Sequence, residues 1–409
     1  MTIKALYPTV RPTLNLDFAR TKALDPRVTF TRASTGTFVG ADGLIKTAAS
    51  GAPRFDHNPA TGESLGLLVE EARTNLITYS EQFDNAAWTK ELCSITANAT
   101  TAPDGTATAD KYVEGTSVYN LVSATTGSSA TSTAYTATVY VKAAERSACY
   151  IRLAFTGNAN WVGGKYDLIN GVAQAVVGSL STYTNASVSI QACSNGWWRI
   201  SCTCTGSNMT PRWGAMDSYS TTLNAGSGVP LYTGNGTSGI FIWGAQLEAG
   251  TFPTSYIPTV ASTVTRAADA ASMTGTNFSS WYNQSQGTWL INFANDAAKQ
   301  GAFRGVLSLG GNNTPRIQGN SVVGYGGSLS FTPTALTKAG LAYGSTEGRA
   351  VNGSVTSGAG GTIDIETYVD IGTGASSSPA SYMLSTSIAR LTYYPVRLPD
   401  AQLQALTAT

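Results

Sequence analysis

The chain has 409 residues, of which 42% are hydrophobic and only 12% charged. That is enough apolar material for two or three packed domains, and too much for disorder. With 25 basic and 24 acidic residues there is no positive field to hold a polyanion, so DNA or RNA binding is excluded as a main role. Polarity comes instead from Ser, Thr, Asn and 43 glycines, a turn-rich composition suited to antiparallel sheet.

In chain order, residues 1–14 are punctuated by proline and read as extended; residues 14–18 (LNLDF) alternate like a strand. The first twenty residues lack the apolar stretch of a signal peptide, and no later run reaches the roughly 18 apolar residues of a membrane span. The expectation is synthesis in a cytoplasm and no membrane insertion. Short strands and turns fill residues 28–62, with Ala41-Asp42-Gly43 and Ala60-Thr61-Gly62 as the clearest turns. Clear strands follow between 76 and 262. Tyr135, Ala137, Val139 and Val141 share one face of the first; Cys149, Ile151, Leu153 and Phe155 share a face of the second. In the third, Trp198, Ile200, Cys202 and Cys204 do so. Such alternation belongs to antiparallel sheets with one wet face. Residues 263–286 are a Ser/Thr/Ala-rich connection. A second strand series then runs through 288–293, 305–309, 328–332, 341–343, 363–369 and 388–394, and Asp400 is placed to cap a short helix over 401–406. The five cysteines have no metal-site spacing, and Cys202 and Cys204 read as small buried hydrophobes.

Two phrases stand out: ESLGLLVEEARTNLITYSEQFDNAAWTK at 63–90 and WGAQLEAGTFPTSYIP at 243–258, with APDGTATADKY at 102–112 between them. They resemble the opening, closing and internal phrases of β-sandwich modules in tail-fibre, head-fibre and other receptor-binding or decoration proteins of tailed bacteriophages. The 76–262 region resembles the jelly rolls of carbohydrate-binding modules. The ending ARLTYYPVRLPDAQLQALTA is similar to the last strand and helix of concanavalin- and laminin-G-like lectin sandwiches. The resemblance implies an all-β chain of tandem antiparallel sandwiches, jelly roll plus concanavalin-like, with a short C-terminal helix. Residues 1–75 would be a virion-docking segment whose strands may complete the distal sandwich, with residues 14–18 beside 388–394; 76–262 would be the jelly roll and 263–409 the lectin-like unit. It further implies a virion surface protein that binds host polysaccharide without cleaving it, contacts other virion proteins through its N-terminal segment, and forms a homo-oligomer, taken as a trimer by analogy with fibres. The rivals are a purely structural decoration protein and a polysaccharide depolymerase.

Catalysis has few candidates. The lone histidine, His57, follows Asp56 in a turn-rich stretch without a G-x-S-x-G elbow, so neither a serine triad nor catalytic zinc is expected. Glycoside hydrolysis needs only two carboxylates; Glu70 and Glu71 are consecutive and face opposite sides of a strand, so Glu81 with Asp84, in one loop, would have to supply them. Jelly-roll modules often hold a structural calcium where first and last strands meet, and Glu81, Asp84 and Glu248 are the residues so placed. For sugar, alternation puts Tyr140 and Lys142, Tyr150 and Arg152, and Trp197 and Arg199 on faces opposite the apolar ones. If their strands share a sheet, they form an aromatic–basic platform for acidic or neutral glycan; Trp161 would be a contact at a loop tip.

Overall fold

The computed structural model describes residues 6–124, 133–154, 161–178, 184–206, 209–294, 305–310, 316–318, 320–332, 336–361, 365–372 and 385–408. All its main elements are antiparallel strands, arranged as two sandwiches, one inserted into the other. Among the described residues no helix is long and apolar enough to cross a membrane.

The first sandwich is built from both ends of the chain. One sheet runs in the order Ser354–Ala359, Thr346–Val351, Leu336–Tyr343, Gly287–Ala294, Thr386–Tyr394, Ser64–Val69 and Arg54–His57. The N-terminal strand Leu14–Leu16 also pairs with Thr386–Tyr394, Leu14 opposite Tyr393 and Leu16 opposite Leu391. The facing sheet runs from Thr29–Thr31 through Ala270–Thr274, Tyr368–Ile371 and Gly305–Leu309 to three short strands ending at Ser328–Ser330. Leu14, Leu16, Leu67, Val69, Trp289, Ile291, Leu341, Val369, Ile388 and Leu391 meet between the two sheets. Period-2 alternation is what lets one side of each strand supply this core. The strand expected over 363–369 is instead Tyr368–Ile371, and residues 362–364 lie outside the described set. The C-terminal helix spans Asp400–Thr407 with Pro399 at its N-cap, so Asp400 is its first residue rather than its cap. The Asp400 carboxylate is engaged by Arg397 and Ser357.

The second sandwich comprises two six-stranded sheets. One runs Thr184–Ala192, Trp197–Gly206, Thr133–Ala143, Gly239–Ala249, Ala109–Glu114, Cys93–Thr100. The other runs Val172–Val177, Trp161–Asp167, Ala148–Ala154, Thr210–Met216, Leu121–Ala124, Trp88–Glu91. Its core contains Val139, Val141, Cys149, Ile151, Leu153, Ile200, Cys202 and Cys204 from the rows read from the sequence, with Trp198 partly buried against it; Phe155 lies outside the described residues.

The chain leaves the first sandwich and returns to it through a two-stranded neck, Arg73–Asn75 against Val264–Arg266. Asn75 is fully buried: its Nδ2 donates to the carbonyls of Ala245 and Ile257, and its Oδ1 accepts from the backbone of Ile77 and Leu247. Next to it, Gly250 adopts φ +148°, and a Cβ there would fall 1.6 Å from an Arg73 guanidinium nitrogen. Only glycine fits.

Below the neck lies a buried ionic cluster. Arg54 donates to Glu70 at 2.8 Å and also to Asp269; Arg32 pairs with Asp269 at 3.1 Å, and Arg266 lies 3.5 Å from Glu70. The second sandwich joins in through Ser255, whose N–H and hydroxyl donate to the two Glu70 oxygens at 2.7 and 2.6 Å. Burial opposes ionisation of Glu70, but the charges of Arg266 and Arg54 and the two Ser255 bonds outweigh it and hold the carboxyl far below its usual range.

Two outcomes follow from these joints. Glu70→Gln should cost about 3–5 kcal/mol, since it strands buried guanidinium charge. Because the folded-state pKa is depressed, the Glu70 contribution is complete above the ordinary carboxyl value of 4.5 and is lost as pH falls below it. Urea titrations at pH 7 and pH 4 should therefore show the difference between wild type and Glu70→Gln shrinking at the lower pH. Asn75→Asp is nearly isosteric yet replaces two buried donors by acceptors; it should lower stability by about 3 kcal/mol in the same titration.

Candidate binding site

The three-strand aromatic–basic platform does not form. Tyr140 and Lys142 lie on Thr133–Ala143, and Trp197 and Arg199 on its neighbour Trp197–Gly206, so four residues share a face. Tyr150 and Arg152 lie on Ala148–Ala154, which belongs to the opposite sheet and faces away. Alternation correctly assigned the sides of each strand but carried no information on which sheet each strand joins. Tyr150 is fully buried, with its hydroxyl donating to the Asn120 carbonyl at 3.2 Å. Arg152 is 1% exposed and stands directly opposite Arg212; burial, then that neighbouring charge, pulls it down to about 10.

The four residues that do share a face are not an open platform either. Tyr140 and Trp197 are buried with Ala102, Ala109, Trp243 and Tyr256, and Ile45 packs against this cluster. The cover is the N-terminal hairpin Gly36–Val39 and Ile45–Ala48, held by Ser194 Oγ donating to the Gly43 carbonyl and Ile45 N–H donating to Pro103. The Trp197 indole N–H donates to the Thr101 carbonyl at 3.1 Å. Lys142 is half-buried over Gly196. Trp161, expected at a loop tip, is 1% exposed beneath Leu223 and Val229, with its indole N–H on the Ala225 carbonyl.

The calcium trio is also dispersed. Glu248 is fully buried, and its carboxylate accepts from both the N–H and the hydroxyl of Thr254, closing the turn between them. Glu81 accepts from the Tyr256 hydroxyl at 3.0 Å, and burial raises its pKa. Asp84 is exposed, its backbone carbonyl accepting from Lys90. No three His, Cys, Asp or Glu side chains among the described residues come together as a metal site.

What the docking of the sandwiches leaves is a cavity of about 160 Å³ at their junction. The first sandwich and its hairpin contribute Val39, Asp56, His57, Glu70 and Ser387; the second contributes Tyr140, Gln191, Cys193, Arg199, Thr254 and Tyr256. Asp56 and His57 are neighbours on a strand, yet both engage Val39: Asp56 Oδ1 accepts its N–H at 2.7 Å and His57 Nδ1 lies 2.9 Å from its carbonyl. The pairing with Ser64–Val69 shifts register between these two residues, a bulge of the sort that re-aims side chains. Arg199 donates to Thr254 O at 2.8 Å and to Thr138 Oγ1 at 3.3 Å, and its guanidinium carbon sits 5.5 Å from the Tyr140 ring centre. Burial pushes the Tyr140 hydroxyl up to about 12 and the Cys193 thiol up to about 11, so both are neutral at pH 7.

Sequence reasoning placed Tyr140 and Arg199 on one face, as they are, and set His57 and Glu70 aside as catalytic candidates, but it did not bring the two sets together. The phrase ending PTSYIP had been singled out, and it supplies Thr254 and Ser255. Trp197→Ala should now act as a core deletion, lowering stability by about 3–5 kcal/mol in thermal or urea unfolding, rather than as a clean removal of a ligand contact.

No family model matches the chain, and no curated protein matches it. Solved structures similar in part include the following two. A sialidase carbohydrate-binding module from Ruminococcus gnavus, solved with α2,3-sialyllactose, is 17% identical with a TM-score of 0.28, over 32% of this chain and 88% of the module. Domains LG4-5 of the mouse laminin α1 chain are 11% identical with a TM-score of 0.18, over 63% of this chain and 82% of that one.

Proposed function

We propose that this protein is a non-catalytic glycan-binding component of a bacteriophage virion surface, a fibre or fibre-like protein that holds host polysaccharide. The virion assignment rests on the two sequence phrases at 63–90 and 243–258. The glycan assignment rests on the junction cavity, whose walls combine a tyrosine, proline and aliphatic surface with hydroxyl, amide, imidazole and guanidinium groups. That mixture suits a sugar, which presents C–H faces between hydroxyls. Repetition of the chain in an oligomer would multiply a modest single-site affinity.

Cleavage is disfavoured by the state of the carboxylates. A glycosidase needs one carboxyl group protonated at working pH as general acid, with a second nearby. Of the described residues lining the cavity, the acids are Asp56 and Glu70. Glu70 is held ionised by two arginines, and Asp56 has an oxygen committed to the Val39 N–H. The burial of Tyr140 and Trp197 under the chain's own hairpin favours a second reading for that face alone, as an internal docking surface of a structural decoration protein.

The test is incubation of the purified protein with extracted host surface polysaccharide. Saturable binding with no rise in reducing ends is expected. New reducing ends would establish a depolymerase, and absence of binding by folded protein would favour the decoration reading.

A further inference from the structure

We propose that the strand Val172–Val177, at the rim of the inserted sandwich, is a self-association edge that pairs antiparallel with the same strand of a second copy of this chain.

A strand at the end of a sheet leaves one row of backbone N–H and C=O groups unpaired, and folded proteins blunt such edges by brevity, bulges, charge or a covering element. The other end strands of the large sheets follow this rule. Thr29–Thr31 and Ser328–Ser330 have three residues each. Arg54–His57, Cys93–Thr100 and Thr184–Ala192 each have a register shift in their pairing. Trp88–Glu91 is short and carries Lys90 and Glu91. Ser354–Ala359 is built of Ser, Thr, Gly and Ala around Val355, and its Ser357 donates to Asp400 of the C-terminal helix. Val172–Val177 has none of these devices. It pairs with Trp161–Asp167 over its whole length without a shift and contains neither proline nor an ionisable side chain. Val172 is 44% and Val177 38% exposed, and among the described residues none bonds to the outer edge.

The phase of the backbone sets the register. Gly178 N–H donates to the Trp161 carbonyl at 3.1 Å, so by alternation Val172, Gln174 and Val176 also turn their backbone groups toward Trp161–Asp167. Ala173, Ala175 and Val177 therefore turn theirs outward. The register that uses all of these groups puts Ala175 opposite Ala175 on a two-fold axis and Ala173 opposite Val177, each facing pair exchanging both of its hydrogen bonds. In that arrangement the edge is complementary to itself: outward donors meet acceptors, and no like charges come together. The methyl groups at the axis permit close approach. An antiparallel pair of identical strands is isologous, so this edge makes pairs rather than the trimer expected by analogy with fibres. One strand edge buries less than the roughly 800 Å² per partner of a standard interface, so the pair is weak and concentration-dependent.

The experiment is sedimentation equilibrium on the full chain from micromolar to near-millimolar concentration. Wild type should pass from monomer to dimer. Ala175→Pro removes an outward N–H and no hydrogen bond within the chain, while Ala175→Lys and Ala175→Glu each set like charges face to face at the axis. Each should weaken dimerisation about tenfold, with thermal unfolding close to that of wild type. Mixing the Ala175→Lys and Ala175→Glu proteins should restore a dimer, which a fold defect would not do. Wild type that stays monomeric throughout, an oligomer that survives all three substitutions, or a mixture that stays monomeric would overturn the proposal.

Discussion

Everything in this molecule hangs on one buried carboxylate. Glu70 lies just past the strand Ser64–Val69, and it is approached by Arg54 from the first sandwich, Arg266 from the neck and Ser255 from the second sandwich. A charge taken out of water is tolerated only when its oxygens are matched, and here each is. The matching partners are far apart in sequence, so the inserted domain must return to a defined place for Glu70 to be satisfied. Asn75 imposes the same demand with neutral groups, tying the start of the insertion to Ala245, Leu247 and Ile257 near its end.

This explains why two phrases 150 or more residues apart read as a pair. The first contains Glu70, Arg73 and Asn75; the second contains Leu247, Gly250 and Ser255. They are the two halves of one joint. Their specificity of sequence reflects a demanding polar fit and glycine clearance, not contact with a ligand. The phrases that most clearly mark the chain are therefore its hinge hardware, and the candidate site lies beside them because the joint brings the two sandwiches together there.

The same docking decides the fate of the aromatic side chains. Tyr140, Trp197 and Trp243 lie on the outer side of their sheet in the inserted domain, and Tyr256, in the segment after its last strand, packs onto them. Burying rings of this size is worth several kcal/mol in total, and the N-terminal hairpin and the exit segment take that gain. What remains accessible is the rim of that contact, a small cavity lined with polar groups.

The pairing of Leu14–Leu16 with the last strand was implied by the resemblance to lectin sandwiches, not by the local pattern. The sequence by itself determined strand content, the inward rows of the three strands read in the inserted sandwich, and the inward placement of Cys202 and Cys204. These follow from a period of two and from composition, both local or nearly local properties. Only the tertiary structure decided which sheet each strand joins, which wet faces are covered, and that His57, Arg199 and Gln191 line one cavity. Sheet membership put Tyr150 and Arg152 on the wrong side of the sandwich for the expected platform, and the Glu248 carboxylate accepts from Thr254. The reason is physical: alternation states that a side chain points out of its sheet, whereas burial depends on what later packs against that sheet. Here the covering element, residues 36–48, lies far upstream of the strands Thr133–Ala143 and Trp197–Gly206 that it covers, and nothing in its own pattern names its partner.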